Sequence, residues 1–403
     1  MSNAPLPRVL VVTSLFPREP GEKQGNFILD QVEALADCGV PLTILKVDSW
    51  DPLHLRKQSG VISAAYSHAP FRVETAQVFS LPRYTLGAFA GPVRLLSLSP
   101  ILRRLIARDG IQVIHAHGEL LAYPVVRIAR RMNLGSVITL HGIDPTPRLI
   151  NSVRKRTQLR QTLERANSVI SVGESLQTYF AQFVGSTRNF SVVPNGFRIL
   201  QGVSSSGRVP RRHPLRIVVV SNLHPNKGID LSLRALAASM EKIDAEMIIV
   251  GGGSEASSLR ALARELRIEE RVTFTGPLSH PEAQSEIMAG DIFCLPSWRE
   301  AFGVAYLEAM ALGKFTIGCR GQGPSDFIQH LKTGFLVEPR SVQSVADAFA
   351  WYVSHPQEAQ SIARAAIQAA NDGFTWKRNA ARIVEIYQSV AEGITTAQKI
   401  PAN

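Results

Sequence analysis

Residues 291–319 read DIFCLPSWREAFGVAYLEAMALGKFTIGC and contain two short apolar runs with a helix-like stretch between them. The runs DIFCLP and KFTIGC are continuously apolar, which is typical of strands covered on both faces of a parallel sheet. Between them, GVAYLEAMALG predicts a helix over about 303–312, followed by Gly313 in the usual glycine position after a helix C-terminus. This order predicts a parallel α/β sheet, with Glu300 in the loop before the helix and Glu308 within it.

Apolar, β-branched runs of the same kind recur along the chain, separated by stretches with helical periodicity. They are VLVVTS, VPLTILKV, IQVIHAH, SVITLHG, SVISVG and FSVVPNG in the first half, and RIVVVSN, AEMIIVGGG and RVTFTG in the second. Two successive groups predict two doubly wound domains. We predict an N-terminal domain over 1–200, a linker over 201–214 rich in Ser, Gly, Pro and Arg, and a C-terminal domain over 215–403, whose last helix packs back toward the first domain.

The charge is unevenly distributed over the 403 residues. Residues 1–200 hold 23 basic and 13 acidic side chains, a balance of +10, whereas residues 201–403 hold 21 and 20, a balance of +1. A basic half favours an anionic partner such as membrane headgroups or a lipid-linked phosphate, the alternative being an unpatterned basic surface. Because neither an aromatic-interleaved basic groove nor zinc-finger spacing is present, no nucleic-acid partner is predicted.

The sequence also bears on location. The three cysteines, Cys38, Cys294 and Cys319, form no metal-type CxxC pair and indicate reduced, cytosolic thiols. The sequence contains no uninterrupted run of about 18 apolar residues, so no membrane span is predicted. The apolar run Val9 to Ser14 is too short for a signal sequence and predicts a first buried strand. We expect a cytoplasmic protein, or one attached peripherally to the inner face of the membrane.

The two glutamates bracket a predicted helix start. Free N–H groups there attract anions, and Gly303 removes the side chain that would hold a phosphate away from the amides around Val304. Glu308 lies about 7–8 Å along the helix, where a ribose attached to that phosphate would hang. Glu300 would face a group on the other side of the phosphates. A nucleotide-sugar therefore fits this segment; the alternative is a surface helix with two solvated glutamates.

The same segment carries a family resemblance. SWREAFGVAYLEAMALG, residues 297–313, resembles the signature S-x-x-E-G-F-G-x-x-x-L-E-A-M-A-x-G of the retaining family 4 glycosyltransferases. It departs at Ala301, where the family usually has Gly, and at the following Lys314, where it usually has Pro. The resemblance implies a GT-B fold, with two Rossmann-like domains facing a central cleft. It also implies sugar transfer from a nucleoside diphosphate to an acceptor hydroxyl with retained anomeric configuration and no divalent metal.

Other segments extend the resemblance and assign further residues. The loop around Gly25 resembles the family's first glycine loop near the donor phosphates, and SNLHPNKGID resembles G-R-L-x-x-x-K-G, whose Arg and Lys hold the diphosphate. Lys227 is kept, but Asn222 stands where Arg is expected; Arg299 is a candidate substitute or a solvated loop residue. The predicted catalytic residues are Glu300, His141 and Lys227, and the predicted donor-binding residues are Gly25, Asn222, Lys227, Gly252, Gly303, Val304 and Glu308.

Several assignments keep two interpretations. His141 matches the family's histidine near the sugar and phosphate, or caps a strand end. Asp144 belongs to the site or to a turn, since DPTP favours turns. His115 and His117 alternate on one strand, so both face one side, in core or supporting roles. The basic helix predicted from SVRKRTQLRQTLERANS offers headgroup or acceptor-phosphate contacts, or only a solvated face; the residues singled out on it are Arg154, Arg156 and Arg160.

Competing functions fit less well. A glycoside hydrolase places its two carboxylates on opposing walls of the scissile bond, and a dinucleotide oxidoreductase needs G-x-G-x-x-G after an early strand, which SLFPREPG does not supply. Left open are a sugar-nucleotide epimerase of the same architecture and a nucleotide-sugar-binding scaffold without transferase activity. We predict a UDP-sugar or GDP-sugar donor, a glycan or lipid-linked acceptor, no cofactor and no metal, in polysaccharide or glycolipid biosynthesis.

Overall fold

The computed structural model describes residues 5–20, 22, 25–50, 64–79, 90–142, 152–200 and 214–399. The chain forms two compact units, one of Met1–Pro194 together with Trp376–Asn403 and one of Asn195–Thr375. The second unit therefore ends at Thr375, and residues 376–403 belong with the first. Of the predicted linker, residues 201–213 lie outside the described residues.

The described part of the first unit forms a parallel sheet of seven strands in the order β3-β2-β1-β4-β5-β6-β7. Helices connect β1 to β2 and each successive pair of strands from β3 to β7, as the alternation of apolar runs and helical periodicity predicts. The strands are β1 Val9–Thr13, β2 Leu42–Trp50, β3 Arg72–Phe79, β4 Val113–His117, β5 Gly135–Leu140, β6 Ser168–Ser171 and β7 Phe190–Val192. The helices are α1 Asn26–Asp37, α2 Ala90–Asp109, α3 Glu119–Arg131, α4 Val153–Arg165 and α5 Glu174–Ala181.

The second unit contains a parallel sheet of six strands in the order β10-β9-β8-β11-β12-β13. Its strands are β8 Leu215–Val220, β9 Ala245–Val250, β10 Val272–Gly276, β11 Ile292–Cys294, β12 Phe315–Cys319 and β13 Phe335–Val337. Its helices are α6 Ile229–Ser239, α7 Ala256–Glu265, α8 His280–Ala289, α9 Val304–Ala311, α10 Val342–Ser354 and α11 Pro356–Gly373. The C-terminal helix, α12 Trp376–Lys399, belongs to the first unit.

The core of the first unit lies on both faces of its sheet. Successive side chains of a strand point to opposite faces, and in β1 Val9 and Val11 join one buried cluster whereas Leu10 and Val12 join another. The first cluster includes Tyr387 of α12. Burial on both faces explains why the strand sequences are continuously apolar rather than alternating.

The topology determines where ligands can bind. Each sheet begins from a central strand and adds strands first on one side and then on the other, so the order of strand addition reverses between β1 and β4 and between β8 and β11, although all strands stay parallel. In open parallel sheets, ligands bind beyond the carboxyl ends of the strands at this reversal. In the second unit that position is occupied by residues 221–227, after β8, and residues 295–303, after β11.

The predicted fold class, two parallel-sheet α/β domains, is confirmed, but two strands were not predicted. β3 lies at the edge of its sheet, and its side chains alternate between buried and exposed positions. It therefore lacks the continuous apolar run that identified the other strands. β13 is only three residues long and also lies at an edge. Its sequence, FLV, is apolar, but a run of three residues is too short to indicate a strand by itself.

A membrane span was not predicted from the sequence. Within the described ranges, none of the helices combines the length and the apolar character that crossing a bilayer requires.

Candidate active site

The start of α9 has the geometry expected of an anion site. Gly303 precedes the helix with φ 92°, in the left-handed region that disfavours side chains. A Cβ at this position would lie 2.5 Å from the ring of Tyr306. That ring cannot easily retreat, because Tyr306 is fully buried and donates a hydrogen bond to the Leu295 carbonyl over 2.6 Å. Glycine is therefore required here, and it leaves the amides at Val304 and beyond unobstructed by a side chain.

Glu300 and Lys227, both predicted to be catalytic, are brought together at the reversal between β8 and β11. Lys227 Nζ donates to Glu300 Oε2 over 2.6 Å, although the residues are 73 positions apart. Their side chains are 19% and 13% exposed, so the ion pair is largely shielded from water but still accessible. The backbone of Glu300 is also held, since its N–H donates to Gln322 Oε1 and its carbonyl accepts from the Gly323 N–H.

Asn226 joins the segment that carries Lys227 to the loop that carries Glu300 through hydrogen bonds. It was not singled out from the sequence. Its Nδ2 donates to the Arg299 carbonyl over 3.0 Å, and its own carbonyl accepts from the Trp298 N–H and from Ser297 Oγ. Three hydrogen bonds between two short loops orient Lys227 toward the glutamate loop. The only sequence signal was the position of Asn226 directly before Lys227 in PNKG.

Glu308 lies on α9, as predicted, and is 7% exposed. Its Oε1 is 2.6 Å from His280 Nε2 and accepts a hydrogen bond of 3.1 Å from Gln284 Nε2. Both partners belong to α8. A buried carboxylate needs such partners, and they set the direction in which it can reach a ligand. Neither partner was predicted, because nothing in the local sequence links α8 to a residue 28 positions away.

The glycines that follow β9, which include the predicted donor-binding residue Gly252, pack against the segment after β8. The Leu223 N–H donates to the Gly252 carbonyl over 2.9 Å, and the Glu255 N–H donates to the Leu223 carbonyl over 3.0 Å. A Cβ on Gly253 would overlap the Leu223 carbonyl. The loop therefore supports the exposed Asn222, which occupies the position where the resemblance expects an arginine. A donor contact of Gly252 or Asn222 stays a prediction.

In the first unit, three histidines gather at the carboxyl ends of β4 and β5. His117 Nδ1 and His141 Nε2 share a hydrogen bond of 2.8 Å, and their rings stack. The His115 ring lies 4.3 Å from that of His117, as alternation on one strand predicts, and its nitrogens contact Thr139 and Tyr387. His141 thus lies beside the sheet's reversal point, and its Nδ1 is buried without a hydrogen-bond partner.

Burial keeps all three histidines neutral. It lowers the pKa of His115 to about 3, with the nearby His141 as a smaller cause. Burial also lowers the pKa of His141 to about 3 and that of His117 well below its ordinary value, with the other two histidines contributing to the latter. Because one of the facing nitrogens of His117 and His141 must carry the proton, the hydrogen bond fixes complementary tautomers.

The remaining predicted residues have different placements. Gly25 precedes α1 with φ 90°, and a Cβ there would overlap the Leu15 carbonyl, so this position also requires glycine. Arg154, Arg156 and Arg160 lie on α4, which confirms the predicted basic helix. Asp144 lies outside the described residues.

The second unit therefore brings Lys227 and Glu300 together at the start of α9, and Glu308 lies further along the same helix. Glu300 Cγ lies 3.4 Å from the Cβ position of Gly303, which places the ion pair directly beside the start of α9. We call Lys227, Glu300, Gly303, Val304 and Glu308 the β8–β11 site. Among the described residues, no group of three or more His, Cys, Asp and Glu side chains is arranged to hold a metal ion.

Comparison with known families agrees with this architecture. The family model described as Glycosyltransferase Family 4 matches residues 24–199, and the model described as Glycosyl transferases group 1 matches residues 208–369. The two sheets define a GT-B protein, and the matches cover the first sheet from β2 to β7 and all of the second. The chain belongs to the family 4 glycosyltransferases.

Curated relatives are similar over most of the chain. A GDP-mannose-dependent alpha-(1-6)-phosphatidylinositol monomannoside mannosyltransferase of Mycobacterium tuberculosis is 27% identical over 303 residues, covering 70% of this chain and 77% of the relative. An N-acetyl-alpha-D-glucosaminyl L-malate synthase of Bacillus anthracis is 25% identical over 346 residues, covering 82% and 86%.

Solved structures share the fold. Sucrose-phosphate synthase from Thermosynechococcus elongatus matches with a TM-score of 0.76 at 19% identity, covering 96% of this chain and 100% of that one. Anabaena HepE, solved in complex with UDP, matches with a TM-score of 0.72 at 19% identity, covering 95% and 100%.

Proposed function

We propose that this glycosyltransferase is a retaining enzyme that moves a sugar from a nucleoside diphosphate sugar to an acceptor hydroxyl, without a divalent metal, in polysaccharide or glycolipid biosynthesis. The observation that carries the proposal is the Lys227–Glu300 pair of 2.6 Å beside the start of α9. A cation and free helix amides are the groups that a diphosphate requires. A carboxylate beside them is suited to sugar hydroxyls.

Each residue of the β8–β11 site has a role in this proposal. The donor diphosphate lies at the α9 amides and takes the Lys227 ammonium as its counterion. Glu300, freed from that ion pair, accepts hydrogen bonds from hydroxyls of the sugar. Glu308, held by His280 and Gln284, accepts hydrogen bonds from the ribose.

In the proposed reaction, the bond from the sugar C1 to the donor phosphate is replaced by a bond from C1 to the acceptor oxygen. The bond between the sugar C1 and the phosphate oxygen breaks, and negative charge develops on the departing nucleoside diphosphate. Lys227 and the helix amides stabilise that charge. The acceptor hydroxyl attacks C1 from the same face, and its proton passes to a donor phosphate oxygen. The retaining course rests on the resemblance of residues 297–313.

The donor and acceptor classes rest on the relatives. The name of the M. tuberculosis relative specifies GDP-mannose and phosphatidylinositol monomannoside, and HepE was solved with UDP. We therefore propose a UDP-sugar or GDP-sugar as donor and a glycan or lipid-linked molecule as acceptor. An anionic membrane surface is a further proposed partner, consistent with the +10 balance of residues 1–200.

Thermal unfolding of the full chain against UDP, GDP and their sugars, without added metal, tests the donor proposal. A ligand that binds only the folded state at a hundredfold excess over Kd stabilises it by about 2.7 kcal/mol. We expect a shift selective for one base, which Glu308→Ala removes. An absence of any shift would contradict the donor proposal and direct attention to Asn222, which replaces the usual Arg; a shift without sugar transfer would instead favour the scaffold alternative. Product analysis by NMR then distinguishes retention from inversion.

A further inference from the structure

A basic groove lies between α3 and α4 in the first unit, apart from both strand-end positions described above. Its volume is about 740 Å³. The lining comes from the second half of α3 and the whole length of α4, where polar residues such as Thr157, Gln158 and Gln161 accompany the arginines. Val153, at the start of α4, lines the same groove and is 67% exposed.

Positive charge dominates this groove. Five arginines line it, and no Asp or Glu is among its described lining residues: Arg127, Arg130, Arg131, Arg154 and Arg165. None of the five forms an ion pair with a carboxylate of the described residues, whereas the neighbouring Arg160 on α4 has Glu164 at 3.9 Å. Like charges gathered without counterions repel one another. The groove is therefore complementary to an anion that the chain itself does not provide.

Arg127 supplies a second and independent observation. Its Nε atom is buried and has no hydrogen-bond partner. Its guanidinium carbon lies 5.8 Å from the centre of the Tyr123 ring, so the side chain is held against the groove wall. A buried donor without an acceptor is unusual in a folded protein, and each instance calls for a missing partner. An anionic oxygen in the groove would be that partner.

We propose that the groove between α3 and α4 is a binding site for a phosphate-bearing anion, separate from the β8–β11 site. Guanidinium groups match phosphate oxygens in pairs of parallel hydrogen bonds, which favours phosphate over a simple halide. The phosphate can belong to a lipid headgroup at a membrane surface or to a free phosphorylated molecule. This site does not depend on the proposed donor chemistry, because all of its residues lie in the first unit.

The test compares two double variants of the full chain. Arg130→Gln with Arg154→Gln removes one arginine from each wall. Arg104→Gln with Arg188→Gln removes the same charge from two exposed arginines of the first unit that do not line the groove. Equal melting temperatures of both variants and the parent establish that folding is intact. The probes are vesicles of phosphatidylglycerol and phosphatidylcholine in equal parts, vesicles of phosphatidylcholine alone, and inorganic pyrophosphate.

We expect the parent protein to bind a phosphate probe, and the groove variant to lose about thirtyfold in affinity, since each basic residue near an anionic surface contributes roughly fivefold. The control variant should lose much less. Salt-sensitive binding to the phosphatidylglycerol vesicles alone identifies a lipid headgroup, and binding of pyrophosphate alone identifies a free phosphorylated ligand. Binding of neither probe, or equal losses in the two variants, overturns the proposal. Nucleotide binding is measured separately and does not affect this outcome.

Discussion

At the scale of single residues, the β8–β11 site depends on contacts between distant positions. Lys227 and Glu300 were each predicted from their own segments, and the structure joins them in one ion pair of 2.6 Å. The partners of Glu308 were not predicted. A local motif reveals which residues carry chemistry, but the side chains that orient them come from other elements and leave no local signal.

Replacing the two glutamates should separate binding from turnover. Glu308→Ala removes the carboxylate proposed to hold the ribose, and we expect nucleotide affinity to fall by about tenfold or more, as for loss of a charged hydrogen bond. Glu300→Ala should lower kcat more than it changes Kd, because its carboxylate is proposed to contact the transferred sugar. Calorimetric Kd values and steady-state kcat check the pair. Near-parental values of both quantities in both variants would refute the site assignment.

We expect His280 to affect nucleotide binding indirectly, by holding the Glu308 carboxylate in position. In His280→Ala the buried carboxylate loses its 2.6 Å partner, so we expect weaker nucleotide binding, by roughly tenfold. His280→Gln retains a donor and should recover part of the affinity, which a merely structural role would not predict. His68→Ala, at an exposed position of the first unit, serves as the control. Unchanged nucleotide Kd in His280→Ala would contradict this prediction.

At the scale of elements, α9 was predicted to within a residue at each end, over about 303–312 against Val304–Ala311. Its boundaries are marked by glycines that the sequence displays. The strands β3 and β13 were not predicted, since β3 lacks a continuous apolar run and the apolar run of β13 is only three residues long. The hydrogen bonds through which Asn226 joins the loops of Lys227 and Glu300 could not be predicted either, because they depend on tertiary packing and not on a periodic sequence pattern.

Gly303→Ala tests the start of α9. The added methyl would occupy a left-handed backbone position and press on the buried Tyr306 ring. We expect a loss of about 1–3 kcal/mol in unfolding free energy, together with weaker nucleotide binding. Denaturant unfolding and nucleotide calorimetry measure both effects.

Gly393→Ala is the matched control, because a Cβ there would have no neighbour within 4 Å and the residue lies within α12. It should leave stability unchanged or slightly raised. Equal destabilisation by both substitutions would show that the strained turn at Gly303 is not the cause.

At the scale of the whole molecule, the histidine cluster makes folding sensitive to acid. The pKa of His115 is lowered from 6.5 to about 3 by burial, so the unfolded chain binds its proton first as the pH falls. Stability is therefore complete above about pH 6.5 and is lost progressively between 6.5 and 3. At pH 5 this residue alone should cost about 2 kcal/mol relative to pH 7.

Denaturant unfolding at pH 7 and pH 5 measures this loss. His115→Gln should show a smaller difference between the two pH values, whereas the exposed His68→Gln should keep the parental difference. An unaltered difference in His115→Gln would argue against a neutral buried histidine at this position.

The course of the chain between the two units has a further consequence. Residues Asn195–Thr375 are an insertion within a host formed by both termini, and a β-bridge joins Phe197 to Thr375, so the insertion begins and ends at neighbouring points. Such a segment is a cassette that can be excised or exchanged as one continuous piece. Because Lys227, Glu300 and Glu308 all lie inside it, replacing this one segment through its two junctions would exchange these three residues of the proposed donor site together and leave both parts of the host sequence unchanged.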